Sequence, residues 1–296
     1  MSAAQHTEAQ GKTELSIIVC GFDMQRELPR TIYTLSKKYQ RDIESLNYEI
    51  LVVDNGSPEP MNLDALCSEY DNVKGIRFEN DGSKSPVNAI NKAVELSEGG
   101  WLGIFIDGAR LASPGLIAKA REAYSEDPTK VIGTLGFHLG NRVQMEAVQE
   151  GYNQDIEEYL LASVNWMEDG YRLFDISVFS GSCKGGWYKP MAESNAVFMR
   201  YDKWKELCGF DARFECPGGG YMNLEFWRRA LKHSENHPWI ILGEGTFHQV
   251  HGGAATNSPQ EDRDLMKAEY ERLTGDFFDL PVYEPRYVGN TRRWDK

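Results

Sequence analysis

The sequence predicts an α/β fold in one domain, with a mostly parallel central sheet flanked by helices. In the first half of the chain, short apolar runs of strand type alternate with stretches of helical periodicity. Strands separated by helices of this length favour parallel pairing with right-handed crossovers. The chain has 296 residues, of which 41% are hydrophobic and 26% charged. This is an ordinary globular composition, at a length that supports one substantial core.

Four strands and four helices are predicted in the first half. The predicted strands are residues 15–20, 48–53, 73–78 and 101–106. Proline suits a first helical turn, and Ser or Asn suits a helix N-cap. On these signals a helix begins near Pro29, one follows the cap residue Asn62, one opens at Pro86, and one starts at Ser113-Pro114 and ends near residue 125.

The second half is less regular. Residues 144–163 have helical periodicity, and the glycine-rich residues 180–189 indicate a loop. Further predicted elements are a strand at 193–199, helices at 201–208, 223–232 and 261–273, and a strand at 239–242 followed by a polar stretch at 243–253. Residues 1–14 are predicted to be a disordered lead-in, residues 15–273 the domain, and residues 274–296 an appended tail.

Charge and cysteine content exclude several classes of protein. The net charge is −13, without the Lys/Arg cluster that binds nucleic acid or an anionic membrane. No apolar run is long enough to span a bilayer, and the polar N-terminus does not resemble a signal peptide. The five cysteines include no CxxC pair, which argues against a disulfide framework or a structural zinc site. These features predict a cytoplasmic protein with reduced thiols.

Two carboxylates follow predicted strands directly. Asp54 comes after the second strand, within the turn sequence DNGS, and Asp107 comes after the fourth. Ligands of such sheets bind beyond the carboxyl ends of the strands. Asp54 taken alone could equally bond to its own turn backbone. The two acids together favour a binding site at this edge.

The ordered motifs resemble a known family. The runs IIVCGF, LVVDNGS and SPVNAINKAVELSEGGWLGIFIDGA are similar to the nucleotide half of family-2 glycosyltransferases with the GT-A fold. The run ESNAVFMRYDKWKELCGFDARFECPGGG is similar to their acceptor half, and the resemblance covers about residues 15–253. It implies a nucleotide-sugar half at 15–127, an acceptor half at 128–273, and inverting transfer of a sugar from a nucleotide-diphospho-sugar to an acceptor hydroxyl.

The resemblance also implies a donor site. Asp54 matches the carboxylate that meets the nucleoside in such enzymes, where it can accept hydrogen bonds from ribose hydroxyls or a base N–H. Asn88 and Asn91 lie three residues apart on one helix face, where the family often places a polar group near the pyrophosphate. A helix face turned to water would explain the two asparagines nearly as well.

A divalent cation, Mn²⁺ or Mg²⁺, is implied at Asp107. Family members usually carry a D-x-D here, but the third position of this chain is Ala109. One or two carboxylates are enough when substrate phosphates and water complete the coordination shell. Of His248 and His251, His251 precedes two glycines and best resembles the late histidine that often completes the family's metal site. Asp107 and His251 are therefore the predicted metal ligands.

The predicted catalytic base is Glu225. The acid pair that often follows the family's glycine-rich loop is absent after residues 217–220 (PGGG), and Glu225 is the nearest carboxylate. Its alternative role is a favourable charge near a helix N-terminus. The predicted partners are a nucleotide-sugar donor and a glycan or small-molecule acceptor; the oligomeric state is not predicted. Two other classes stay open, a sugar nucleotidyltransferase and a non-catalytic binding protein that retains the fold.

Overall fold

The protein forms one sheet covered by helices on both faces. The computed structural model describes residues 12–79, 84–252 and 260–291. Most of the predicted lead-in, and residues 292–296, lie outside this description. The strands are β1 Leu15–Gly21, β2 Tyr48–Asp54, β3 Val73–Arg77, β4 Trp101–Phe105, β5 Arg110–Ala112, β6 Ile132–Leu139, β7 Ser177–Phe179, β8 Ala196–Arg200, β9 Trp239–His248 and β10 Arg286–Gly289.

The described helices agree with most of the sequence predictions. They are α1 Glu27–Leu35, α2 Leu63–Glu69, α3 Val87–Glu95, α4 Leu116–Glu126, α5 Gln144–Ala147, α6 Gln154–Ser163, α7 Tyr201–Glu206, α8 Met222–His233 and α9 Gln260–Thr274. Asn62 caps α2 by accepting the Ala65 N–H at 3.1 Å, as its position predicted. The predicted helix start at Ser113-Pro114 is two residues early, because α4 begins at Leu116 with Gly115 as its N-cap.

The prediction of a mostly parallel sheet is confirmed. The strand order is β10-β9-β6-β8-β4-β1-β2-β3, with β5 paired to β9 and β7 to β6. Along that order every pair is parallel except the two that β8 forms with its neighbours β4 and β6. The C-terminal ends of β1 to β4, β6 and β9 therefore meet at one edge, which also receives the N-terminal end of the reversed strand β8.

Apolar side chains on both faces of the sheet explain this arrangement. Along β1, Ile17 and Val19 enter one buried cluster, while Ile18 and Cys20 enter the other. A strand that is buried on both faces is typical of a parallel sheet covered by helices. α3 packs on the face of Ile18, and α1 packs on the opposite face.

The second half contains the main departures from the sequence predictions. β9 continues to His248 through the segment predicted as a polar stretch, and its pairing with β5 and β6 satisfies the backbone there. The polar side chains in it are also bonded: Glu244 accepts the Gly115 N–H at 3.0 Å and the Tyr171 hydroxyl at 2.8 Å. Strands β5, β6 and β7 were not predicted. The predicted tail contributes β10, which pairs with β9.

Among the described residues, no helix is both long and apolar enough to cross a membrane. All five cysteines are free thiols.

Candidate active site

Asp107 and His248 meet at the carboxyl edge of the sheet because β5 turns back along β9. Asp107 follows β4, and β5 then starts with Arg110 paired to His248, the last residue of β9. His251 lies three residues beyond the end of β9. Sequence positions more than 130 residues apart are thereby joined at one place.

The nitrogen and oxygen atoms of these residues converge. His251 Nε2 lies 3.2 Å from His248 Nε2, and His248 Nε2 lies 3.9 Å from Asp107 Oδ2. One ligand atom from each of the three residues falls within 4.8 Å of the others. Adjacent ligands at roughly 2.1 Å from an octahedral cation lie about 3 Å apart. The spacing of the two histidine nitrogens therefore fits a shared divalent cation, after a small approach by Asp107.

Gln144 orients the His248 ring. The Gln144 side-chain oxygen accepts a hydrogen bond from His248 Nδ1, and both residues are buried. With its proton on Nδ1, neutral His248 presents the Nε2 lone pair to Asp107 and His251. A partner that fixes the tautomer of a histidine ligand is typical of metal sites.

We expect Gln144→Ala to weaken Mn²⁺ binding by about 10- to 100-fold, the usual effect of removing such a partner. Calorimetric titration with Mn²⁺ in the presence of a nucleotide diphosphate measures this. Gln149→Ala is the matched control, because Gln149 is exposed and lies five residues further on. Equal Mn²⁺ affinity in the two variants would show that Gln144 does not position a metal ligand.

Burial and a neighbouring cation keep the histidines uncharged. Burial, and then Arg110, lower the pKa of His248 well below its usual value. Burial likewise lowers the pKa of His251, although the Asp107 carboxylate opposes this. His138, next to His248, has its pKa lowered to about 4 mainly by burial. Neutral imidazoles are the form that binds metal.

Arg110 is a buried cation within the site. Its Nε donates to Asp107 Oδ2 at 2.7 Å, and its Nη1 is buried without a hydrogen-bond partner among the described residues. The same Asp107 oxygen lies nearest to His248, so a bound cation and Arg110 would share it. The free Nη1 is a donor suited to an anionic ligand such as a phosphate.

The residue before His251 is held firmly. Val250 donates its N–H to Glu157 Oε2 at 2.6 Å and accepts a hydrogen bond from Arg26 Nη2 at 2.9 Å. Glu157 is buried on α6, and burial raises its pKa to about 7 against the opposing effects of the Val250 N–H and Arg26. These contacts fix the start of the segment that carries His251.

The surroundings of Ala109 explain why this chain lacks the second acid of the D-x-D pattern. Its side chain is fully buried in the apolar cluster on the α1 face, and its N–H donates to Asp107 Oδ1 at 3.0 Å. A carboxylate at this position would enter an apolar core. His248 offers a nitrogen beside Asp107 where the sequence lacks an acid at 109. Of the two histidines, the sequence favoured His251 alone because it precedes two glycines. An HxxH spacing at the end of a buried strand is the signal that could have found His248.

Asp54 lies at the same edge but is fully buried. It accepts hydrogen bonds from the backbone N–H groups of Ser57 at 2.9 Å and Met61 at 3.1 Å, and it is ion-paired with Arg77. The turn-bonding alternative is thus present in the structure. Direct contact between Asp54 and a nucleoside stays a prediction.

The two asparagines of α3 differ. Asn91 forms a pair of hydrogen bonds with the backbone of Phe210, donating at 2.8 Å and accepting at 3.0 Å. It therefore ties α3 to the segment after α7. Asn88 is exposed on α3. Their role in donor binding stays a prediction.

Glu225 is engaged in an ion pair one turn along α8. Its two carboxylate oxygens accept hydrogen bonds from Arg229 at 2.5 and 2.8 Å. Arg229 also bonds to the carbonyls of Leu207 and Gly209, so the pair braces α8 against the end of α7. The structure does not bring Glu225 into contact with Asp107 or the histidines. Its role as the base stays a prediction.

Comparisons with known proteins agree with this architecture. The crystal structure of S. aureus TarS 1-349 in complex with UDP-GlcNAc is similar, with a TM-score of 0.55 and 13% identity over 87% of this chain and 66% of that chain. The complex of the same protein with UDP gives a TM-score of 0.52 and 13% identity, over 87% of this chain and 65% of that chain. The chain thus spans just under two thirds of these neighbours, and at such identity the likeness shows the fold. No curated protein sequence matched the chain.

The sequence itself matches the model of one family, glycosyl transferase family 2, over residues 16–197. This stretch is more than half of the chain, and it includes Asp54, Asp107 and the strands that position them. The protein therefore belongs to glycosyl transferase family 2 and has the GT-A fold.

Proposed function

We propose that this protein is a glycosyltransferase that moves a sugar from a nucleotide-diphospho-sugar to an acceptor hydroxyl, with inversion and with the help of a divalent cation. The observation that carries the proposal is the convergence of Asp107, His248 and His251 at the carboxyl edge of the sheet. This edge is where sheets of this type bind their ligands.

The residues present fit a cation. Two neutral imidazoles and one carboxylate suit Mn²⁺ or another cation that accepts both nitrogen and oxygen ligands. When bound, such an ion would draw negative charge from the diphosphate leaving group. Arg110 adds a second positive charge at the site, and its unpartnered Nη1 is available to a phosphate oxygen. The three ligands and Arg110 would together hold the diphosphate end of the donor.

The nucleoside end of the donor is proposed to lie beside the loop that Asp54 orders. UDP-GlcNAc is the first donor to test, because the similar TarS structures hold UDP and UDP-GlcNAc. The acceptor is proposed to be a glycan or a small molecule with a free hydroxyl.

Two outcomes separate this proposal from its alternatives. The test is UDP release from UDP-GlcNAc with Mn²⁺, measured in water alone and with a panel of mono- and disaccharide acceptors. We expect release that rises with a productive acceptor and yields a glycosylated product. Donor binding without any turnover would indicate a binding protein that retains the fold. Formation of UDP-GlcNAc from UTP and GlcNAc-1-phosphate would indicate a nucleotidyltransferase.

A further inference from the structure

One carboxylate at the edge of the sheet is held by an amide rather than by a cation. Glu193 lies three residues before β8, at the edge that carries Asp107. Its Oε2 accepts a hydrogen bond from Asn223 Nδ2 at 2.8 Å. Glu193 is half-buried, and within the described residues no other hydrogen bond or ion pair involves its carboxylate.

The connection to Asp107 runs through the backbone. Ile106, next to Asp107, donates its N–H to the Asn195 carbonyl at 3.3 Å, and Phe105 pairs with Ala196. Glu193 is two residues before Asn195 on the same segment. The topology thus places Glu193 and the proposed metal ligands at neighbouring strand ends.

Asn223 is built to hold this carboxylate. It is 3% exposed, and its amide nitrogen also lies 3.1 Å from the Ser194 carbonyl and 3.3 Å from Asn195 Oδ1. Three acceptors around one nitrogen fix the orientation of the amide, since its oxygen would be repelled there. The Asn223 oxygen is buried without a partner among the described residues.

The glycine-rich loop aims Asn223 at this place. Gly218, Gly219 and Gly220 all have positive φ, at 68°, 82° and 53°, and a Cβ on Gly219 would lie 2.6 Å from Met222 Sδ. Glycine is the residue that adopts such backbone angles most readily. The loop therefore turns sharply into α8 and delivers Asn223, in its first turn, against the segment before β8.

Three other carboxylates of the predicted site are already engaged. Asp54 is fully buried and paired with Arg77, and Glu225 has both oxygens on Arg229. Asp107 bonds to Arg110 and faces the histidines. A catalytic base must have a carboxylate oxygen that the substrate proton can reach. Accepting that proton must not break an ion pair between the base and an arginine.

We propose that Glu193 is the catalytic base and Asn223 its positioning residue. The acceptor oxygen forms a bond to the anomeric carbon as its proton passes to the unbonded oxygen of Glu193. The bond from the anomeric carbon to the diphosphate breaks, and its electron pair leaves with the nucleoside diphosphate. The inference rests on the proposed function.

The test compares Glu193→Gln with Glu225→Gln and with the control Glu122→Gln, an exposed acid on α4. The probe is UDP-GlcNAc with Mn²⁺, read as donor affinity by calorimetry and as UDP release to water or a saccharide acceptor. We expect Glu193→Gln to slow release by roughly 100- to 10,000-fold with unchanged donor affinity. Glu225→Gln should slow UDP release by less than about tenfold, because the Glu225 carboxylate stabilises the packing of α8 and does not take the proton.

Asn223→Ala should slow release by roughly tenfold through the lost hydrogen bond to a charged group. The double variant of Glu193→Gln and Asn223→Ala should be no slower than Glu193→Gln alone, since Asn223 acts through Glu193. If Asn223 had a merely structural role, the double variant would release UDP more slowly than Glu193→Gln alone.

Near wild-type release by Glu193→Gln, or a large loss in Glu225→Gln alone, would overturn the assignment while the proposed function stood. Wild-type protein that binds UDP-GlcNAc but never releases UDP would overturn the proposed function, and the base with it.

Discussion

Metal and donor should bind cooperatively, and Asp107→Asn should remove most of that coupling. Asp107, His248 and His251 offer only one carboxylate to a cation, so Mn²⁺ alone should bind weakly. The donor diphosphate adds anionic oxygens, and each ligand then raises the affinity of the other by the same factor. We expect Mn²⁺ to raise UDP-GlcNAc affinity by roughly 5- to 150-fold, the usual range for coupled sites.

Calorimetric titration of UDP-GlcNAc in Mn²⁺ and in EDTA measures the coupling directly. In Asp107→Asn the two affinities should nearly coincide, while His251→Ala should retain part of the difference because His248 remains. Asp71→Asn is the control, since Asp71 is exposed before β3 at the opposite edge of the sheet. Equal donor affinity of the wild type in both buffers would mean that no metal bridges the phosphates. The buried cation Arg110 would then carry the charge of the leaving group.

Asp54→Ala should strongly destabilise the fold. The carboxylate is fully buried and accepts two backbone N–H groups as well as the Arg77 pair. Removing it leaves two amides and a guanidinium without their acceptor. Because Arg77 is one third exposed, we expect a loss of about 3 kcal/mol in the free energy of unfolding, at the low end for a broken buried pair.

Denaturant unfolding of Asp54→Ala measures the loss, with the exposed Asp64→Ala as control. Donor affinity should also fall, because residues 55–61 lose the group that orders them. Two results would distinguish an ordering role of Asp54 from direct contact with the nucleoside. Reduced stability with weaker donor binding fits an ordering role. Unchanged stability with a large loss of donor affinity would instead support direct contact with the nucleoside.

Glu225 shows why the base was difficult to assign from the sequence. It is the first carboxylate after the glycine-rich loop, so order along the chain favours it. An i,i+4 arginine on the same helix captures both of its oxygens. Glu193, by contrast, is thirty residues from Asn223 in sequence, and only the packing of α8 against the segment before β8 brings them within hydrogen-bond distance.

The sequence by itself determined the parallel strands β1 to β4, most of the helices and the edge where the site lies. Those features depend on local signals: doubly buried apolar runs, helix caps, and acids that directly follow strands such as Asp107. The tertiary structure alone decided which polar groups meet. The polar stretch that contains His248 becomes strand only because β5 and β6 pair with it, and this places His248 beside Asp107. Asp54 and Asn91 stay predicted donor-binding residues. In the structure Asp54 bonds the backbone of its own turn, the alternative that its turn sequence offered, and Asn91 bonds the backbone of Phe210. Partners such as Phe210 for Asn91 come from distant segments, and their pairing depends on packing that no local pattern encodes.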